Sequence, residues 1–174
     1  GYDLQGIQGD KVSRFLDKMK DCSIEKTRKI KEIEDLFPAA WLQDIPNCIS
    51  DNVTLSTMHG CPTGEIGEIA EYLMLTRRLH TVVKLNPTLL GPEHLRQILN
   101  QELEYDIQVP DEAFAHDLKM PEALSLIRRL QECADQCGLH FGVKLTNTLE
   151  SLNPKTALPE SEKMVYMSGK ALHP

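Results

Sequence analysis

Two stretches of this chain end on the same pattern. Val82-Val83-Lys84-Leu85-Asn86-Pro87-Thr88 can be laid over Gly142-Val143-Lys144-Leu145-Thr146-Asn147-Thr148. Both open on short apolar, β-branched runs that read as strands. Side chains alternate faces along a strand. Val83 and Leu85 therefore share a face, as do Val143 and Leu145, and those faces suit covering helices. Lys84 and Lys144 must point the other way, toward what would be the interior and upper mouth of a barrel. An ammonium is expensive to bury unpaired, so an inward lysine at a strand end is explained by an anion or a cofactor. A side chain reaching solvent, or an acidic neighbour, would also explain one such lysine; two on matched strand ends favour the ligand. The same placement leaves open a Schiff-base nucleophile of the aldolase type.

Other residues could complete such a site. Asn147 and Thr148 follow directly on the second lysine strand, where an amide and a hydroxyl can read a planar, carbonyl-rich ligand. Both also stabilise turns. His59, in Met58-His59-Gly60-Cys61-Pro62, is a candidate acid/base, and Lys144 is the other catalytic candidate. Cys61 lies near a helix start, where a thiol pKa can fall; a tight corner explains it as well, and a structural role is favoured. In Tyr166-Met167-Ser168-Gly169-Lys170, Ser168 and Gly169 offer a hydroxyl and backbone N–H groups to a phosphate. Cys133 and Cys137 stand four apart with no second Cys or Cys/His pair nearby, and core packing is the better reading. No metal site is expected.

The elements that position these residues alternate. Asp10 to Lys20 and Ile24 to Phe37 read as charged helices, with Val12, Phe15, Leu16 and Met19, then Ile30, Ile33 and Leu36/Phe37, at helical spacing. Pro38 ends the second. Val53 to Met58 is a strand, and Pro62 suits the first position of a helix carrying Ile66, Ile69, Ala70, Leu73 and Met74. His80 to Leu85 is a strand, Pro92 and Pro121 each open a helix, and His140 to Leu145 is a third strand. Strand, turn, Pro-started helix and strand is the grammar of βαβ units and a parallel sheet. Tyr105 to Pro110 is a short strand or a loop, Asp111 to Met120 an insertion, and Asn153 to Lys163 a loop. The chain divides into a helical segment, 1–50, and βα units over 51–174.

The bulk composition narrows the classes. With 19 Lys and Arg against 26 Asp and Glu, the net charge is −7, opposite to a nucleic-acid footprint. No apolar run approaches the roughly 20 residues a bilayer span needs, and the N-terminus carries no signal-peptide pattern. Five cysteines, an odd number, fit reduced thiols and a cytoplasmic location. The chain has no initiating Met and stops just after a glycine motif, so it reads as an excerpt of a longer protein.

Taken in order, Cys61-Pro62, Val83-Lys84, Thr146-Asn147-Thr148 and Met167-Ser168-Gly169-Lys170 resemble the flavin-binding barrel of the dihydroorotate and dihydropyrimidine dehydrogenases. Leu55 to Pro62, Val83 to Thr88 and Tyr166 to Leu172 are similar to the YgfK type of selenate reductase subunit. That resemblance implies an incomplete (β/α)8 TIM barrel within a larger multidomain flavin/iron–sulfur oxidoreductase. It implies FMN in this region, at Lys84, Asn147, Thr148, Ser168 and Gly169, and FAD, NAD(P)H and iron–sulfur clusters elsewhere in the parent. The reaction expected is hydride or electron transfer to or from a small heterocycle or oxyanion, with the fragment alone inactive. The dehydrogenases' Asn-Leu-Ser-Cys-Pro-Asn is replaced by Thr57-Met58-His59-Gly60-Cys61-Pro62-Thr63, so two substrate-reading asparagines are absent and dihydroorotate chemistry is not expected. A degenerate barrel that only scaffolds redox modules is the alternative. At 174 residues the chain falls short of the roughly 250 of a whole barrel. Open strand edges then call for other domains or a homodimer.

Overall fold

The computed structural model describes residues 3–56, 61–153 and 158–172. Four helices come first: α1 (Leu4–Gln8), α2 (Asp10–Lys20), α3 (Ser23–Ile33) and α4 (Ala39–Gln43). Then β1 (Asn52–Ser56), α5 (Thr63–Leu75) and β2 (His80–Leu85) follow in the expected alternation. A 3-10 turn (Pro87–Leu90), α6 (Pro92–Arg96), a π-helical stretch (Gln97–Glu102) and α7 (Asp111–His116) lead to α8 (Met120–Cys137) and β3 (Phe141–Leu145). The chain continues through β4 (Leu149–Leu152), β5 (Met164–Met167) and a 3-10 turn (Gly169–Leu172).

Strands β1, β2 and β3 form a parallel sheet in that order, as the βαβ grammar requires. The core lies on one face of it. Val83 and Leu85 are buried against Ile66, Ala70 and Met74 of α5 and Leu126, Leu130 and Ala134 of α8. The α8 stripe recurs at four-residue steps, which places it on one helix face. Gly138 ends α8 in the left-handed region, φ +64, where the absence of a Cβ makes that conformation cheap. Leu139 then donates its N–H to Ala134 O at 2.9 Å, which closes the helix end and aims the chain into β3. Below, α1 and α2 pack through Leu4, Ile7, Val12 and Leu16 onto Ile69, Leu73 and Leu79. Arg77 reinforces this by pairing with Asp17.

Several expectations need correction. Strand β3 is an edge strand, and Leu145 is 67% exposed rather than covered by a helix like its counterpart Leu85. Helix α3 stops at Ile33 and buries none of its residues, so Ile24, Leu36 and Phe37 are exposed. Pro62 is the N-cap residue of α5, not its first helical residue. Of the strand and the loop left open for residues 105–110, the loop forms, and Gln108 O accepts the Leu152 N–H at 2.8 Å. The insertion contains α7, and β4 pairs antiparallel with β5 as a separate sheet, an element the sequence pattern did not reveal. Its Leu149 is buried with Leu95, Leu99, Val109, Ala113 and Phe114 in a second core. Among the described residues three parallel strands form and no barrel closes, and no helix is long and apolar enough to cross a membrane.

Candidate functional site

The register of the parallel sheet brings the two lysines together. Lys84 pairs with Lys144 across β2 and β3, and Ser56 pairs with Lys84 across β1 and β2. Residues paired in this way point to the same face, and adjacent strands lie about 4.8 Å apart. Ser56, Lys84 and Lys144 therefore form a row at the C-terminal ends of three neighbouring strands. The row faces away from the helix layer, because Val83, one residue earlier, is 1% exposed in the core. Lys84 is half-buried and Lys144 exposed. Among the described residues neither ammonium has a hydrogen-bond or ion-pair partner. Thr54, Val82 and Gly142 lie two residues below, on the same face.

Asn147 joins this end of the sheet. It is 7% exposed, and its backbone N–H donates to Leu85 O at 2.6 Å, which ties the exit of β3 to the end of β2. Thr148 is half-buried and leads directly into β4. Beside these exits lies an apolar cavity of about 220 Å³, lined by Asn86, Pro87, Leu145, Thr146, Met120 and Leu172 among others. Leu145 gains its role here: its side chain lines this cavity instead of the α5–α8 core.

Ser168 and Gly169 are exposed and follow β5, just past the last pair of the β4–β5 ladder, Leu149 with Met167. Gly169 has φ +68, with open space around a Cβ built there, and it begins the turn whose Leu172 reaches the cavity. The structure brings Lys84, Lys144 and Asn147 together at the strand ends, and Ser168 and Gly169 stand on the neighbouring element that follows β5. His59 lies outside the described residues. Ser56 was missed by sequence reasoning, because nothing in the sequence states which residue of β1 stands beside Lys84.

Cys61 does not become an activated thiol. Burial raises its pKa, and the nearby carboxylate of Glu65 raises it further. The negative charge sits in the first turn of α5, where it opposes the effect of the helix N-terminus on a thiolate. Cys133 is likewise raised, first by burial and then by Cys137 and Glu71. Among the described residues no group of three or more His, Cys, Asp or Glu is placed to hold a metal ion.

An FMN would need a cation near its anionic groups, donors and acceptors for a planar ring system, and a turn for its phosphate. Lys84 and Asn147 fit the first two requirements by position and residue type. Gly169 supplies an open left-handed turn for the third.

Comparison with known proteins bears on this arrangement. The family model described as oxidoreductase YgfK, N-terminal TIM-barrel domain, matches residues 1–174. The candidate oxidoreductase YgfK of Escherichia coli (strain K12) is 40% identical over 193 aligned positions. Its counterpart in Escherichia coli O157:H7 matches to the same extent. Each alignment covers 100% of the chain and 18% of the relative, so the chain spans less than a fifth of the length of these relatives. No solved structure matches it.

Proposed function

The chain belongs to the family of the oxidoreductase YgfK N-terminal TIM-barrel domain, and we propose that it is the barrel region of a multidomain flavin/iron–sulfur oxidoreductase. The observation that carries this reading is the pair of adjacent lysines at parallel strand ends, facing away from the helix layer and lacking acidic partners among the described residues. FMN, when bound, would supply hydride or electron transfer to or from a small heterocycle or oxyanion. The chain's own residues would bind and orient. Lys84 would hold an anionic part of the flavin, Asn147 and Thr148 would read a planar carbonyl-bearing face, and Ser168 with Gly169 would hold the phosphate. FAD, NAD(P)H and iron–sulfur clusters would belong to the rest of the parent protein. Its other domains, or a second copy of this chain, would cover the outer edges of β1 and β3, which pair with no further strand among the described residues.

The second reading is a scaffold role, favoured by the position of Ser168 and Gly169 after β5, outside the parallel sheet that carries Lys84 and Lys144. The visible absorbance of the purified full-length parent protein separates the two. A flavin band that reverse-phase chromatography identifies as including FMN supports the catalytic barrel. A protein with no FMN, and none taken up on reconstitution, supports the scaffold.

A further inference from the structure

We infer that Ser56, Lys84 and Lys144 form a single subsite for the oxyanion group of an anionic substrate, with two ligand oxygens bridging the two ammonium groups. The inference rests on the reading of this face as the site mouth, and it adds Lys144 and Ser56 as substrate-binding residues, with the three N–H donors of Lys84 shared between flavin and substrate. The sheet register makes Lys84 and Lys144 nearest neighbours on one face. Like charges directly opposite each other across a strand pair are unfavourable. An anion between them relieves that repulsion and gains charge-assisted hydrogen bonds. Ser56 stands on the other flank of Lys84, and a hydroxyl there can donate to the same group.

The floor of the row has room for the ligand. Gly142 occupies the position two residues below Lys144, and a Cβ built there meets only Val82 Cγ2, at 3.4 Å. A side chain at position 142 would rise into the space beneath the lysines. The open glycine, the paired cations and the flanking hydroxyl fit a carboxylate or an inorganic oxyanion, which share the same pair of charged oxygens.

The subsite is tested without flavin, so its outcome is separate from that of the flavin reading. Backbone 1H–15N spectra of the chain are titrated with malonate and, in parallel, with inorganic phosphate, at ionic strength held constant with chloride. Saturable shifts confined to the ends of β1, β2 and β3 are expected with at least one of the two. Malonate alone identifies a carboxylate substrate, and phosphate alone an inorganic oxyanion. Lys144→Met should weaken binding about fivefold, the upper end for an exposed charge pair, while Lys144→Arg retains it. Lys29→Met, on α3, should change nothing. Shifts that match those of chloride, or affinity unchanged in Lys144→Met, overturn the inference.

Discussion

Helix α5 carries a glycine, Gly67, at a position where α8 passes close by, and the structure says what replacing it does. A Cβ at Gly67 would lie 1.6 Å from Arg129 Nη2 and 3.2 Å from Leu126 Cδ1. The first contact is impossible as it stands, yet it involves the far end of a flexible side chain. Arg129 also pairs with Glu71 at 3.0 Å, and its side chain is half-exposed. Gly67→Ala therefore has two opposing consequences. Removing a mid-helix glycine stabilises by about 1 kcal/mol. Displacing Arg129 costs its ion pair, about 0.2 to 1 kcal/mol for an exposed pair. The single variant should thus change stability by less than about 1 kcal/mol. In an Arg129→Ala background the arginine is already gone, and Gly67→Ala should then stabilise by up to about 1 kcal/mol, less the mild crowding at Leu126. Urea unfolding of the four chains of this double-mutant cycle gives the coupling directly. A loss above about 2 kcal/mol from Gly67→Ala in both backgrounds would show that α5 and α8 meet through rigid atoms, and would refute the reasoning.

Leu130 is fully buried between α8, α5 and the sheet, so Leu130→Ala should cost about 2 to 5 kcal/mol in urea unfolding. The hydroxyl of Thr88 donates to Asp117 Oδ2 at 2.7 Å in a buried setting, and Thr88→Val should lower stability by about 1 to 3 kcal/mol, read from thermal melts. Glu150, opposite Tyr166 on the β4–β5 hairpin, raises the phenol pKa by its charge, with smaller contributions from burial and their hydrogen bond. The folded state thus favours the neutral phenol. This contribution is present below tyrosine's ordinary range, near about pH 10, and is lost as pH rises through the raised folded value. Glu150→Gln should bring the phenol's absorbance titration back down toward the ordinary value. Cys61 should alkylate slowly near neutral pH because burial and Glu65 disfavour its thiolate, and Glu65→Gln should speed the reaction, followed by peptide mass spectrometry.

The parallel sheet was legible because its signals are local. Alternation in residues 80–85, Pro-started helices and the 3.6-residue stripe of Ile66, Ala70 and Met74 all follow from short-range geometry. The outward face of Lys84 follows from strand alternation alone. What remained hidden depends on contacts distant in sequence. The pairing of Ser56 with Lys84 is a matter of register, and register is set by packing across elements. Leu145 has the same pattern as Leu85, yet it sits on an edge strand beside a cavity, which periodicity cannot distinguish. The β4–β5 hairpin is only four residues per strand, with a long polar connection, so it carried no turn signature. At Cys61 burial first, and then the Glu65 carboxylate four residues on, raises the thiol pKa, and burial is not read from local spacing.

FMN titration of the full-length parent protein in wild-type and Lys84→Met forms decides whether Lys84 has a flavin-holding role. That role predicts saturable quenching of FMN fluorescence by the wild type, lost or weakened about tenfold in the variant, with unfolding of the two proteins unchanged. Equal FMN affinity in both would contradict it.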